Sequence, residues 1–284
     1  MAKHSFRFGT VGSPISTPKK PGGSVGAVLR LKELGFSAFE IGWVRSVRVS
    51  EKTCAEIKST AAEQDVAISV HAPYYINMNA DEEEWPKSRQ RLMDAAHYGH
   101  LAGATDIVFH PGSYFGNDPQ EVMPRVLKRL QGCVKELRDA GNTVFLCPET
   151  MGKGAMIGSV EDVLQMSREL EGVKPCLDFA HLHARPGDGS MNSYDEWARV
   201  LEAYGKALGD DALKELHIHM SGIEYTEGGE KEHLPVLESD LDLNAIFTAL
   251  KDFKAGGRMV CESPAMEDDA QILKDKWLEI SGEG

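Results

Sequence analysis

Six histidine or acidic residues each stand at the end of a short apolar run, and no other feature limits the fold as much. Ala67-Ile68-Ser69-Val70 leads into His71, and Asp106-Ile107-Val108-Phe109 into His110. The runs 144–148, 175–177, 213–216 and 259–261 lead into Glu149, Asp178, His217 and Glu262. Successive members lie 29 to 45 residues apart. That is the length of a strand, a crossover helix and the next parallel strand. In a (β/α)8 barrel the C-terminal ends of the strands converge on one face, which carries the chemistry. Imidazole and carboxylate are ligands for zinc and manganese. Residues far apart in the chain are therefore expected to meet in one metal-binding pocket.

The rest of the chain supports that architecture. Strand-like segments at 6–9, 38–41 and the six runs above alternate with helix-like segments at 25–34, 50–62, 87–102, 118–140, 159–170, 193–208 and 243–253. Ser50 is a candidate N-cap, and Ser159 with Asp162 resembles a capping box. At 284 residues the chain suits one α/β domain over 1–284, a (β/α)8 TIM barrel, which typically takes about 250 residues. No linker-like stretch divides it. Long polar loops follow His71, His110, Asp178 and His217, on the expected functional face.

Composition bounds the function. The chain has no apolar run of about 18 residues, so no membrane span is expected. Met1 to Ser5 leads straight toward a strand with no signal-like apolar segment. The five scattered cysteines suggest reduced thiols and a cytoplasmic protein. Cys176 and Cys261 are expected as packed core thiols facing away from the ligands, whereas Cys147, two before Glu149, shares its side. A formal charge of −13 argues against a broad nucleic-acid surface but not a local one.

The ligand-bearing blocks resemble the endonuclease IV family of apurinic/apyrimidinic endonucleases. They are His71-Ala72-Pro73-Tyr74-Tyr75-Ile76-Asn77, His110-Pro111-Gly112-Ser113, Glu149-Thr150-Met151-Gly152, Asp178-Phe179-Ala180-His181, His217 within 216–221, and Glu262-Ser263-Pro264. The resemblance runs from the third strand to the eighth. It implies a TIM barrel that cleaves duplex DNA 5′ to abasic sites with two or three zinc ions, manganese being an alternative, and acts as a monomer. It implies that His71, His110 and Glu149 hold one metal, and that Glu149 bridges to a second held by Asp178, His217 and Glu262. Glu149 and Glu262 are then the catalytic carboxylates.

A third metal would take His181 and an Asp-x-His pair, which this chain replaces with Lys231-Glu232-His233. Either Glu230 or Glu232 substitutes, or His181 and His233 bind weakly with water, or Lys231 supplies the charge itself. Tyr74 and Tyr75 are candidates for wedging into the duplex, the alternative being that they pack the loop. Arg45, Lys153 and Arg185 are candidate backbone contacts, with Trp43 and Arg48 near the first of them. His183 and His219 lie outside the pattern, either orienting ligands or simply packed. The competing reading is a sugar isomerase or epimerase on a related barrel, which needs only the set Glu149, Asp178, His217 and Glu262.

Overall fold

The computed structural model describes residues 5–283; His4, read from sequence as solvated, and the residues before it lie outside that range. Eight parallel strands form the barrel: β1 (Phe6–Val11), β2 (Ala38–Gly42), β3 (Ala67–His71), β4 (Asp106–Phe109), β5 (Phe145–Pro148), β6 (Cys176–Asp178), β7 (Leu216–Met220) and β10 (Gly257–Cys261). Their order is β5-β4-β3-β2-β1-β10-β7-β6. The β5–β6 seam carries two isolated parallel bridges, Leu146 with Val173 and Glu149 with Cys176. It is held by Leu146 N donating to Gly172 O at 3.0 Å and Thr150 N donating to Cys176 O at 3.0 Å. No helix among the described residues is long and apolar enough to cross a membrane.

The connecting helices form where the expected signals stand. Helix α1 is Gly23–Glu33; α2 (Glu51–Gln64) starts at Ser50, whose hydroxyl accepts from Thr53 N at 3.1 Å. Helices α3 (Trp85–Leu101) and α4 (Pro119–Asp139) follow; α4 buries Val122, Val126, Leu130, Cys133 and Leu137, spaced three or four apart. Helix α5 (Val160–Glu169) has the capping box of Ser159 and Asp162. Three elements were not read from the sequence: a short helix α6 (Phe179–Ala184), a hairpin of β8 (Gly222–Thr226) and β9 (Gly229–Leu234), and the closing helix α9 (Glu267–Ser281). Helices α7 (Tyr194–Leu208) and α8 (Leu243–Asp252) complete the ring. Trp277 of α9 packs edge-on against Phe6 at 5.0 Å and Phe247 at 6.1 Å.

One strand is displaced from its expected place. Residues 213–216, read as the strand before His217, lie mostly in a 3₁₀ turn (Asp210–Glu215). Strand β7 begins only at Leu216, and its register pairs Cys176 with His217 and Asp178 with His219. The rim of the barrel therefore falls at His219. Alternation also corrects the reading of Cys176: it lies two residues before Asp178, shares its face, and packs with Val108 and Cys147 inside the barrel. Cys261 belongs to the outer core as expected.

Asp162 joins two loops of the upper face. Its Oδ2 accepts from Tyr114 Oη at 2.6 Å, Ser159 N at 2.8 Å and Gly158 N at 2.9 Å. Asp162→Ala should lower the unfolding free energy by about 2–4 kcal/mol, from a lost cap and buried donors left unpaired. Urea unfolding reads this directly; a loss below about 0.5 kcal/mol, the scale of an ordinary surface change, would show that the joint carries no stability.

Candidate metal centre

Strands β3, β4, β5, β6, β7 and β10 deliver their last inward-facing residues to one point above the barrel. Glu149 stands at its centre, fully buried. One carboxylate oxygen, Oε2, lies 3.2 Å from His71 Nε2 and 3.3 Å from His110 Nε2. The other, Oε1, lies 3.1 Å from His181 Nδ1 and 3.5 Å from His219 Nδ1. His219 Nδ1 is also 3.5 Å from Glu262 Oε1. Asp178 caps α6, its Oδ1 accepting from His181 N at 2.7 Å, which turns His181 back over the centre.

The donors fall into three overlapping groups whose ligand atoms approach within 4.8 Å: His71, His110 and Glu149; Glu149, Asp178, His219 and Glu262; and Asp178, His181 and His233. Hairpin β8–β9 brings up the third group. Gly229 has a positive φ of 92°, and a Cβ there would stand 2.3 Å from Gly152 O. Glycine alone allows that approach, and Glu230 N then donates to Gly152 O at 2.8 Å. The result sets His233 Nε2 3.2 Å and Glu230 Oε2 3.6 Å from His181 Nε2.

The electrostatics are those of a site crowded with anions. Burial would raise the Glu149 carboxyl, but the charges of His219 and His110 outweigh it and hold the group well below the usual carboxylate range. Burial opposes charge on His71, yet the bond and charge of Glu149 lift that imidazole to about 9. Burial pushes Asp178 up to about 6, with Glu149 and Glu262 adding to the rise against the pull of His181. Without a cation, the carboxylates are balanced by imidazolium groups. Glu149 Oε1, Asp178 Oδ2 and both ring nitrogens of His219 are buried with no aligned hydrogen-bond partner. Buried polar atoms are rarely left so, and hard oxygen and imidazole donors fit a divalent ion.

The structure separates the residues singled out from sequence. His71, His110, Glu149, Asp178, His181, His233 and Glu262 come together. His217 does not join them: its ring lies deeper, 2.9 Å from Glu40 Oε2 and 3.1 Å from Asp106 Oδ2. His219 stands in its place because the strand starts late, and the two histidines share a face, so periodicity alone does not choose between them. Lys231 points outward and pairs with Glu224 at 2.8 Å, while Glu230 is the acidic residue turned inward. Arg185 donates to the carbonyls of Met151, Lys153 and Met156 at 2.7–3.0 Å, bracing the loop after β5. Arg45 and Lys153 are exposed. Tyr74 stacks on His110 at 5.1 Å, and the next residue, Tyr75, is 64% exposed. His183 is fixed between Met191 O and Asp240, away from the centre. Glu40 was missed; its only signal was an acidic residue inside the apolar run Ala38-Phe39-Glu40-Ile41.

The chain belongs to the xylose isomerase-like TIM barrel family, whose profile matches residues 28–279. An uncharacterized protein from Methanocaldococcus jannaschii is 37% identical over 274 residues, covering 96% of this chain and 97% of its own. The endonuclease 4 of Thermus thermophilus is 29% identical over 208 residues, 70% of this chain and 72% of that protein. A probable endonuclease 4 of Oceanobacillus iheyensis is 30% identical over 54% of this chain and 52% of its own length. Named relatives thus accompany the resemblance read from the ligand blocks. Two solved structures share the fold: a D-tagatose 3-epimerase-like protein (TM-score 0.73, 21% identity, 98% of this chain and 99% of that one) and an endonuclease IV from Thermus thermophilus (TM-score 0.71, 22% identity, 98% and 100%). At these identities the overlays establish the barrel and not its chemistry.

Asp178 offers a test of the anion crowding. Its folded pKa, about 6, lies above the ordinary value of 3.8, so folding takes up a proton there. Stability from this group is present below pH 3.8 and lost as pH rises through about 6. Asp178→Asn keeps the cap acceptor and removes the charge. The chelated variant should therefore melt at a higher temperature than chelated wild type at pH 8, with no gain near pH 4. A lower melting temperature at pH 8 would show that Asp178 stabilises the metal-free fold.

Proposed function

We propose that the protein is a metal-dependent phosphodiesterase that incises duplex DNA 5′ to abasic sites. The observation that carries this reading is the size of the donor cluster. Glu149, Asp178, His219 and Glu262 alone would serve a single ion, whereas His71 and His110 on one side and His181, His233 and Glu230 on the other extend it to three adjoining groups. Phosphodiester cleavage uses such an array because charge develops on both the attacking and the leaving oxygen. The named endonuclease 4 relatives support the same reading.

His71, His110 and Glu149 would hold one ion, Glu149 with Asp178, His219 and Glu262 a second, and His181, His233 and Glu230 a third. Zinc suits this donor set; bound there, it lowers the pKa of water toward neutrality and neutralises phosphate charge. The chain supplies the rest. Glu149, offering one oxygen to each side, keeps the two flanks at fixed separation. Tyr74, seated on His110, and the exposed Tyr75 give aromatic surface at the mouth, where an aromatic wedge can replace lost base stacking. A nucleotide without a base is the cheapest to extrude, which favours abasic sites. Arg45 and Lys153 offer exposed cations for the phosphates on a chain of net negative charge. An isomerase acting on a ketose through the central four ligands is the second reading, and the acidic charge of −13 favours it.

Metal-replete protein should cut a duplex bearing one abasic analogue, leaving a 3′-hydroxyl and a 5′-deoxyribose phosphate, and lose this activity to a chelator. Glu149→Gln and Glu262→Gln should each reduce cutting by orders of magnitude with the unfolding transition retained, because the rim lies outside the apolar core. Turnover of ketoses with the duplex left intact would replace the nuclease reading with the isomerase one.

The third group has its own test. Glu230→Ala should bind one ion fewer than wild type by elemental analysis, while Lys231→Ala keeps both the wild-type count and wild-type cutting. A falling count in Lys231→Ala, or an unchanged one in Glu230→Ala, would remove Glu230 from the ligand set.

A further inference from the structure

Below the metal centre a chain of buried polar groups descends through the inside of the barrel. His219 Nε2 lies 3.0 Å from Glu40 Oε1. The other oxygen, Glu40 Oε2, lies 2.9 Å from His217 Nε2 and accepts from Ser69 Oγ at 2.7 Å. His217 Nδ1 lies 3.1 Å from Asp106 Oδ2, and Asp106 pairs with Arg258 at 3.3 Å. Arg258 is anchored on Thr105 Oγ1 at 2.7 Å. Glu40, Ser69, His217 and His219 are all buried. Such layers are ordinarily filled by branched apolar side chains, and a buried carboxylate costs several kcal/mol unless it is well paired.

The purpose of this arrangement follows from how His71, His181 and His219 spend the second nitrogen of the ring. His71 Nδ1 bonds Ala72 O at 2.9 Å, leaving Nε2 toward Glu149. His181 Nδ1 bonds Thr150 O at 2.9 Å, leaving Nε2 toward His233 and Glu230. Both rings use loop carbonyls at the barrel rim. His219 sits inside β7, where backbone carbonyls belong to the ladder with β10. A side-chain acceptor must serve it instead, and Glu40 Oε1 is the only group within ion-pair distance of its Nε2 among the described residues. An imidazole that binds a metal through one nitrogen needs an acceptor on the other to fix its tautomer and orientation.

We propose that Glu40 is a positioning residue: pinned by Ser69 and His217, its Oε1 stands 3.0 Å from His219 Nε2, close but not aligned as a hydrogen bond in this structure, and it takes that Nε2–H when the ring turns its Nδ1 lone pair into the space enclosed by Glu149, Asp178 and Glu262. The role rests on the reading of those four residues as metal ligands. It makes His217 a support for Glu40 rather than a ligand, and it gives the buried Glu40–His217–Asp106 chain a use in the upper site.

Co2+ titration of the full chain tests this, with binding followed by calorimetry and the visible d–d bands. Glu40→Gln should bind the ion held by His219 about 10- to 100-fold more weakly, with altered d–d bands and a melting temperature near wild type. Glu40→Asp, which restores the charge on a shorter arm, should recover part of the affinity. Ser69→Ala, which unpins Glu40 without touching His219, should cause a smaller loss of the same kind and carries the test if Glu40→Gln does not fold. Wild-type affinity and bands in both Glu40→Gln and Ser69→Ala would overturn the role. So would a thiolate-to-Co2+ charge-transfer band abolished by Cys176→Ser, since Cys176 and His217 would then hold an ion beside Glu40 themselves. If wild type takes up no Co2+, the metal reading fails first, and the positioning role falls with it.

Discussion

The buried carboxylate of Glu149 is the constraint around which the upper barrel is organised. An anion without access to water demands compensation, and the fold meets the demand with imidazoles from four different segments: His71, His110, His181 and His219. The backbone places Glu149 at the β5–β6 seam, where its bridge to Cys176 joins strands otherwise poorly paired. Asp178, the second carboxylate of that seam, caps α6 and so sets the direction of His181. The β5–β6 seam thus supplies two carboxylates with different work: Glu149 gathers the imidazoles, and Asp178 starts a helix.

The division of labour between the two cores follows from this. The apolar shell between strands and helices, with Phe39, Phe109, Trp197, Phe247 and Trp277 fully buried, carries the hydrophobic stability. The inside of the barrel is given over to charge: Glu40, Asp106, Glu149, Asp178, His217 and His219 occupy space that a purely structural barrel fills with Val, Ile and Leu. The cost of desolvating them is offset by alternating anion and imidazole so that nearly every charge meets its opposite. Among them, the atoms left without aligned partners are Glu149 Oε1, Asp178 Oδ2 and the ring nitrogens of His219 at the centre, where a divalent cation would sit, and Glu40 Oε1 just below it.

The upper loops are shaped by backbone as much as by side chains. Gly152 and Gly229 let the hairpin lie against the β5 loop, and Arg185 holds that loop by three carbonyls. Under the proposed function, such rigid walls would align a phosphodiester, while the exposed Tyr75 and the stacked Tyr74 meet the strand. A chain so acidic would rely on this local surface and on the bound cations, rather than on long-range attraction, to engage nucleic acid.

The alternation of strands and helices was legible in the sequence because short continuous apolar runs and caps such as Ser50 and Ser159 are local signals. Most of the rim was legible too, since a ligand that directly follows a continuous apolar run marks its own strand end. The sequence by itself therefore determined the barrel, the convergence of His71, His110, Glu149, Asp178 and Glu262, and the kind of chemistry such donors support. Tertiary structure decided what depends on register. The 3₁₀ turn before β7 moved the rim from His217 to His219, and two histidines on one face of a strand are equivalent until the neighbouring strands fix their height. The hairpin that turns Glu230 inward and Lys231 outward depends on contact with Gly152, 77 residues before Gly229 in the chain. The role of Glu40 is likewise invisible along the chain, because it arises only when β2, β3 and β7 face one another across the barrel.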